Sequence, residues 1–272
     1  MNYRHDYHAG NFADCFKHAL LVALIEALRQ KPAPFGVLDT HAGAGHYDLD
    51  SEAAQRTNEA MGGILRLIES RDPVLAPFLD LVRRLGLYPG SPHLIQALLR
   101  ADDRLVCCEL LPEAASALRR LFRTDPRISV HQRSGYEALG SLLPPPEKRG
   151  LVLIDPPYEA TDEFAALADG LARGHRRFSH GVFAAWYPIK QLAAVRGFLD
   201  TMRMASIRDI IAVELHLREP LDPSRLNGCG LLVINPPYHF ESQAGVIADA
   251  VLRGLAATEP GASTQIVRVA DE

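Results

Sequence analysis

An acid and an aromatic residue close a short apolar run in the middle of this chain. Residues 151–154 are apolar without interruption, and Asp155, Pro156, Pro157 and Tyr158 follow directly. Such a run is typical of a strand buried on both faces of a parallel sheet. The two prolines end the strand because neither has an N–H to donate to a neighbour. Asp155 and Tyr158 are therefore predicted at the carboxyl edge of a sheet, where open α/β folds bind ligands.

Taken alone, the same residues also suit a purely structural reading, a strand followed by a Pro-Pro turn with Asp155 as a cap. A near-copy, LLVINPPY, ends at Asn235–Tyr238. Only a short loop joins its strand to the preceding strand, so the two are expected to pair antiparallel. This pairing predicts Asn235 at the opposite edge of the sheet, as a strand terminator without a catalytic role.

The elements around this stretch alternate as in an α/β Rossmann-like sheet. Seven strands are predicted, with the last one antiparallel: 35–39, 104–109, 127–131, 150–154, 181–186, 207–216 and 231–234. The first strand runs into Thr40-His41-Ala42-Gly43-Ala44-Gly45. Glycines there let the backbone pass close to a ligand. The turn matches neither the dinucleotide nor the P-loop pattern.

Residues 47–100 interrupt the alternation and are predicted as an inserted helical subdomain, with helices over 53–70 and 73–86 and a short helix that Ser91 caps. The remaining residues, 1–46 and 101–272, form the Rossmann-like domain. Its N-terminal segment, 1–31, contains an amphipathic helix from about Ala13 to Gln30, preceded by Asn11 as its cap.

Composition excludes few functions. The net charge of −4 over 272 residues gives no global support to nucleic-acid binding, although local patches can still contact phosphate. No apolar stretch reaches the length of a membrane span, and the polar N-terminus lacks the core of a signal peptide. The four cysteines form no paired motif, which indicates reduced thiols in a cytoplasmic protein.

Two local patterns have both functional and structural interpretations. Histidines near the N-terminus, together with Asp14, fit no standard metal spacing, so no metal site is predicted. Two basic groups could bind phosphate or could simply be solvated helix faces. The first group contains Arg119, Arg120, Arg123, Arg127 and Arg133, and the second contains Arg173, His175, Arg176 and Arg177.

The joint pattern resembles the class I S-adenosylmethionine-dependent methyltransferases, and D-P-P-Y looks like the signature of those that methylate the exocyclic amine of adenine. The segments YRHDYHAGNFADCFKH, LDTHAGAG, YPGSP, CEL and GLVLIDPPYE, in this order, resemble the RlmJ family over essentially the whole chain. That family makes N6-methyladenine in 23S ribosomal RNA. The resemblance implies S-adenosylmethionine as cofactor and 23S ribosomal RNA as partner, with no membrane and no obligatory protein partner.

The resemblance also implies roles for individual residues. Catalytic roles fall on Asp155, Pro156 and Tyr158, and substrate contacts fall on Tyr3 and Arg4. Cofactor contacts fall on a set spread over several turns: His18, His41, Gly43, Ser91, Glu109, Ser134, Gly135 and Asp155. At Ser134 the chain departs from the family, which carries an aspartate near the cofactor's adenine at that position. A serine still hydrogen-bonds there, but without charge.

The chemistry of an aryl amine explains why such an edge is needed. The N6 lone pair of adenine is delocalised into the ring, so acceptors at Asp155 and at the carbonyl of Pro156 favour a more tetrahedral, nucleophilic nitrogen. Tyr158 would stack on the base. DNA adenine as the substrate, or a nucleotide-binding module without catalysis, are the alternatives that the sequence leaves open.

Overall fold

The computed structural model describes residues 7–271 and contains one large sheet and a two-stranded ribbon. The strands are β1 (Gly36–Asp39), β2 (His46–Tyr47), β3 (Tyr88–Pro89), β4 (Arg104–Glu109), β5 (Ile128–Gln132), β6 (Gly150–Ile154), β7 (Val182–Ile189), β8 (Ile210–His216), β9 (Gly228–Ile234) and β10 (Ser263–Ala270). The helices are α1 (Phe12–Arg29), α2 (Glu52–Thr57), α3 (Ile64–Leu67), α4 (Ala76–Leu85), α5 (Ser91–Leu98), α6 (Pro112–Leu121), α7 (Gly135–Ser141), α8 (Glu163–Arg177), α9 (Leu192–Met204) and α10 (Phe240–Gly254), with a 3-10 helix at Glu59–Gly62.

The large sheet has the strand order β10-β8-β9-β7-β6-β1-β4-β5. Strands β5, β4, β1, β6 and β7 are parallel, whereas β9 lies antiparallel between β7 and β8. The predicted fold class is confirmed, and so is the antiparallel strand that ends before Asn235. The structure adds an eighth strand, β10, which pairs antiparallel with β8 at the edge of the sheet, and α10, which packs against α1.

Strand β6 lies at the centre of the sheet and is fully buried. Leu151 and Leu153 point into the apolar layer that contains α1, α5 and α10, and Val152 and Ile154 point into the layer of α7, α8 and α9. Burial of each such side chain contributes about 1.5–3 kcal/mol relative to exposure. The uninterrupted apolar run therefore places Asp155 at a rigid strand end.

Segment 47–100 is helical, but its first long predicted helix is broken. Asn58 adopts a left-handed conformation with φ of 54°, and α2 ends there. A Cβ at Gly63 would lie 2.1 Å from the carbonyl oxygen of Gly10, so the chain passes too close for any other residue. The break lets the inserted segment pack against the N-terminal segment.

Helix α1 begins as the sequence predicts. The side chain of Asn11 accepts a hydrogen bond from the backbone N–H of Asp14, at 2.9 Å, and so caps the helix. The charged residues Asp14 and Lys17 are buried along with the apolar residues of this helix. None of the helices within residues 7–271 combines the length and the apolar character that a membrane span requires.

Candidate active site

A cleft of about 1420 Å³ runs along the carboxyl edge of the parallel strands. Helix α1 and the turns after β1, β4, β5, β6 and β7 form its walls. Every predicted site residue within residues 7–271 lines this cleft: His18, His41, Gly43, Ser91, Glu109, Ser134, Gly135, Asp155, Pro156 and Tyr158. The predicted substrate contacts Tyr3 and Arg4 lie outside the described residues.

Asp155 faces a buried cation. Lys17 on α1 donates one hydrogen bond to Asp155 Oδ2 and a second, 2.9 Å long, to Asp14 Oδ1. The Lys17 side chain is only 5% exposed, whereas the Asp155 side chain is 18% exposed toward the cleft. Burial opposes the charged form of Lys17, but the charges and hydrogen bonds of Asp14 and Asp155 outweigh it and raise the pKa of Lys17 well above its usual value. Lys17 therefore stays protonated beside the Asp155 carboxylate.

Tyr158 forms an aromatic wall next to Asp155. Its hydroxyl donates to the backbone carbonyl of Trp186, at 3.1 Å, and its ring meets the rings of Trp186 and Phe164 edge to face. The Tyr158 backbone has a left-handed φ of 51°, which is uncommon for a bulky residue. This wall fixes an apolar surface within the cleft where a flat ring could stack.

Glu109 at the end of β4 joins two turns. Its Oε2 accepts the N–H of Gly43 at 2.8 Å, and its Oε1 accepts the N–H of Leu111 at 2.8 Å. Gly43 has φ of 63°, and a Cβ there would lie 2.3 Å from the hydroxyl of Tyr47. The carboxylate is buried, yet each oxygen has further lone pairs available to a ligand in the cleft.

His41 in the glycine turn is held as a neutral ring. The hydroxyl of Thr40 lies 2.9 Å from the carbonyl of Leu153 and 2.8 Å from His41 Nδ1, so the hydroxyl donates to the carbonyl and accepts from the ring nitrogen. Burial lowers the pKa of His41 to about 4, although the Asp155 charge acts in the opposite direction. His41 therefore brings no positive charge to this part of the cleft at neutral pH.

Ser91 is not the helix cap that its position predicts. Gly90 is the N-cap of α5, and the Ser91 hydroxyl donates to Asp39 Oδ2 at 2.6 Å instead. Burial raises the pKa of Asp39 to about 7. Because the Ser91 hydrogen goes to Asp39, the lone pairs of the hydroxyl can only accept from a donor in the cleft. His18 lies nearby on α1, with Nδ1 3.0 Å from the hydroxyl of Tyr88.

Ser134 and Gly135 form the end of the cleft beyond β5. Ser134 is the N-cap of α7 by position, but its side chain makes no capping hydrogen bond. A Cβ at Gly135 would lie 2.2 Å from the carbonyl oxygen of Thr40, so this turn and the glycine turn after β1 are in close contact. Glycine at this position is what allows the two turns to meet.

The inserted segment holds the N-terminal segment at the mouth of the cleft. Glu59 accepts hydrogen bonds from His8 Nδ1, at 2.8 Å, and from the side chain of Asn11, at 2.9 Å. The hydrogen bond to Glu59 raises the pKa of His8. Within residues 7–271, no group of three or more His, Cys, Asp or Glu side chains is arranged to hold a metal ion.

The two basic groups seen in the sequence do not meet at this cleft. Helices α6 and α8 both start at the carboxyl edge and run toward the opposite edge, where Arg123 and Arg177 lie. Arg127 forms an ion pair with Asp125 and caps the carbonyl of Leu99. The cleft is instead lined by cations that are scattered along the chain, namely Lys17, Lys190, Arg218 and Arg225.

Lys17 is the site residue that sequence reasoning missed. Its partner Asp155 lies 138 positions away in the chain, so spacing could not reveal the pair. One signal was available, because Asp14 and Lys17 lie one turn apart on the apolar face of a helix. Charged residues on such a face must be paired when the helix is buried.

Comparison with known proteins agrees with this geometry. The model of the family described as ribosomal RNA large subunit methyltransferase D, RlmJ, matches residues 32–268. A protein from Escherichia coli named "Ribosomal RNA large subunit methyltransferase J" is 39% identical over 251 residues, which cover 89% of this chain and 90% of that protein. A protein of the same name from Haemophilus influenzae is 36% identical over 252 residues, covering 89% and 90%.

Two solved structures share the fold of this chain. A crystal structure of a protein from Legionella pneumophila superposes with a TM-score of 0.87 at 35% identity, covering 96% of this chain and 98% of that one. A probable spermidine synthase from Corynebacterium glutamicum shares the fold alone, with a TM-score of 0.54 at 13% identity, over 97% and 77% of the two chains. The resemblance found in the sequence is confirmed: this chain belongs to the RlmJ family of ribosomal RNA large subunit methyltransferases.

Proposed function

We propose that this protein transfers the methyl group of S-adenosylmethionine to N6 of an adenine in 23S ribosomal RNA, and that it does so in the cytoplasm. One observation carries the proposal: a single cleft contains both the Glu109–Gly43 contact and the Asp155–Tyr158 wall. The first suits a nucleoside cofactor, and the second suits an aromatic amine. Membership of a ribosomal RNA methyltransferase family supports RNA as the carrier of that amine.

The residues at one end of the cleft fit S-adenosylmethionine. Glu109 has lone pairs left for the two ribose hydroxyls, and Gly43 leaves room for a ligand to pass close to the backbone. The Ser91 hydroxyl can accept from an ammonium group, since its own hydrogen goes to Asp39. His41 is neutral and so does not repel a cationic ligand. We assign His18, Ser134 and Gly135 to the same ligand because they line the same cleft.

Asp155 orients the amine that receives the methyl group. Lys17 occupies Asp155 Oδ2, which leaves Oδ1 to accept one N6 hydrogen. The carbonyl of Pro156 accepts the other N6 hydrogen. Two acceptors on the same side pull the nitrogen toward a tetrahedral shape and direct its lone pair into the cleft. S-adenosylmethionine, when bound, supplies a methyl group already activated on a sulfonium sulfur.

The same arrangement also provides an acceptor for the proton that N6 loses after methyl transfer. Once N6 is methylated, it carries a positive charge and becomes strongly acidic, so it gives its proton to the carboxylate of Asp155. Tyr158 holds the base by stacking, which contributes about 1–3 kcal/mol. Holding both reactants in line accounts for much of the rate, since positioning alone can lower a barrier by about 7–11 kcal/mol. The target adenine must leave its own stack to reach this edge.

A labelling experiment tests the proposal. The purified protein is given S-adenosylmethionine with a labelled methyl group and one of three substrates: protein-free 23S ribosomal RNA, intact large ribosomal particles, or DNA. The product is digested to nucleosides, and the labelled nucleoside is identified. We expect N6-methyladenosine from one or both ribosomal substrates, and no label from the Asp155→Ala variant.

Other outcomes contradict the proposal in distinct ways. Label only in DNA makes the protein a DNA methyltransferase. Label in RNA but in a different nucleoside removes adenine N6 as the target. Binding of S-adenosylmethionine without any transfer favours the nucleotide-binding module.

A further inference from the structure

The cleft is also lined by three cations that come from two loops of the chain. Lys190 follows β7, and Arg218 and Arg225 lie in the loop between β8 and β9. We call these three residues the basic rim. Strand β9 is antiparallel to both β7 and β8, so the end of β7 and this loop meet at the carboxyl edge of the sheet, the edge that Asp155 occupies.

Lys190 lines the same cleft as Trp186, which contacts Tyr158. Side chains alternate along a strand, so Trp186 and Pro188 face the same side of β7; Lys190 follows one residue past the strand, and all three residues line the cleft. At about 3.3 Å per residue, Lys190 lies about 13 Å beyond Trp186, whose carbonyl accepts from Tyr158. Lys190 is therefore placed to meet the sugar-phosphate chain that leads away from a base stacked on Tyr158.

The loop that carries the two arginines is held in one conformation. Asn227 is fully buried, and its side chain donates to the carbonyls of Lys190, at 3.1 Å, and Asp222, at 2.7 Å. Its backbone N–H donates to the carbonyl of Ile189 at 3.0 Å. Arg218 donates to the carbonyl of Leu226 at 3.0 Å. The rim is therefore ordered before a ligand arrives, which reduces the entropy lost on binding.

The rim brings positive charge to the cleft although two of its three members are paired. Arg218 and Arg225 share one carboxylate, that of Glu259, and Lys190 forms no ion pair with any residue of 7–271. The nearby acids Glu219, Asp222 and Glu259 do not line the cleft. The charged side chains that residues 188–226 present to the cleft are therefore all cations. Guanidinium and ammonium groups spaced along a groove fit the phosphates of a nucleic-acid backbone.

We propose that the basic rim binds the ribosomal RNA backbone next to the target adenine and so holds the extruded nucleotide in the cleft. This rests on the proposed function, and it adds which residues dock the RNA. Contacts of this kind give affinity without reading sequence. No residue of the Arg119–Arg133 and Arg173–Arg177 groups lines the cleft, and α6 and α8 carry most of them to the opposite edge of the sheet.

The test uses Lys190→Gln, Arg225→Gln and the double variant, with Arg176→Gln as the matched control. Lys190 and Arg225 are exposed, so their substitution does not disturb the core, and Arg176 is an exposed arginine at the opposite edge. Binding of transcribed 23S ribosomal RNA is measured by fluorescence anisotropy without cofactor, between about 50 and 200 mM salt. Methyl transfer is measured in parallel, with KM for RNA and kcat determined separately.

Each rim substitution should make the plot of log affinity against log salt concentration shallower, by about 1 in the slope. We expect KM for RNA to rise several-fold in each single variant and further in the double variant, while kcat and the Kd for S-adenosylmethionine stay at the parent values. The Arg176→Gln control should match the parent in all four quantities. Salt slopes and KM values equal to those of the control would overturn the proposal.

Two further outcomes separate this proposal from the proposed function. In the first, the rim variants change the salt dependence of RNA binding, but the parent transfers no methyl group. The docking surface is then supported and the assigned reaction is wrong. If the variants lose binding only to intact ribosomal particles and not to free RNA, the rim contacts a ribosomal protein, and the assignment to RNA backbone is wrong.

Discussion

Two segments of this chain end in nearly the same residues and do different work. Residues 151–158 read LVLIDPPY, and residues 231–238 read LLVINPPY. Both are buried strands that stop at two prolines. Strand β6 is parallel to its neighbours, whereas β9 is antiparallel to β7 and β8, so Asp155 and Asn235 lie at opposite edges of the sheet.

The copies differ in one polar residue, Asp155 in the first and Asn235 in the second, and each residue suits the hydrogen bonds that it makes. Asp155 accepts from Lys17 and opens onto the cleft, which requires an acceptor with charge. Asn235 donates to the carbonyls of Ser179 and Gly181, at 2.9 and 2.8 Å, which requires a donor with two hydrogens. Tyr158 is held against Trp186, whereas Tyr238 is 88% exposed. The motif only ends a strand; the edge at which the strand ends decides whether that end becomes a site.

Asp155→Asn should show the largest effect. The substitution keeps the size of the side chain but weakens the acceptor that faces N6 and removes the proton acceptor. We expect kcat to fall by about 10²–10⁴-fold. The Kd for S-adenosylmethionine, measured by calorimetry, should stay within a few-fold of the parent because Glu109, Gly43 and Ser91 are unchanged. A variant that transfers methyl groups at the parent rate would remove Asp155 from its assigned role.

Lys17→Met tests a feature that distinguishes the two copies. Asp155 pairs with a buried cation, whereas Asn235 donates to backbone carbonyls. The substitution removes the cation that lies between the carboxylates of Asp14 and Asp155. Breaking a buried ion pair from one side costs about 3–5 kcal/mol, and urea unfolding measures that cost. Lys17 has a raised pKa, so its contribution is fully present below the usual lysine pKa and is lost only as pH rises through the raised value. The parent should therefore show no loss from this pair between about pH 6 and 9.

A second substitution separates stability from catalysis at Lys17. Adding Asp14→Asn to Lys17→Met removes one of the two negative charges that repel each other once Lys17 is gone. Part of the lost stability should therefore return. Methyl transfer should stay low, because Asp155 still lacks the cation that holds its Oδ2. Full activity in this double variant would mean that Lys17 acts only on stability.

Sequence reasoning predicted the parts of this comparison that depend on local chemistry. The apolar run before Asp155, the proline stop, the Asn11 cap and the antiparallel strand before Asn235 all follow from short-range rules, and the structure confirms them. The Lys17–Asp155 pair and the basic rim join residues that only the folded chain brings together. Strand β10 was missed because it lies at an edge with mixed burial and lacks the apolar run that marked the central strands.

Asn235→Asp should show the smallest effect and tests the other half of the comparison. It restores D-P-P-Y to the second copy at the edge opposite the cleft that Asp155 lines. A carboxylate cannot donate to the carbonyls of Ser179 and Gly181, so the free energy of unfolding should fall by about 1–3 kcal/mol. The kcat for methyl transfer should equal that of the parent wherever the variant is folded.

The pH dependence of this variant follows from the same contacts. Two carbonyls near the introduced carboxyl favour its protonated form, so its folded pKa lies above the unfolded value of about 3.9. The folded state then binds the proton more tightly, and the deficit in unfolding free energy grows as pH rises above that value. Asn235→Gly is the control, because it keeps the left-handed φ of 52° and removes both hydrogen bonds without adding charge. A fall in kcat without a loss of stability in Asn235→Asp would show that this end of the sheet takes part in the reaction.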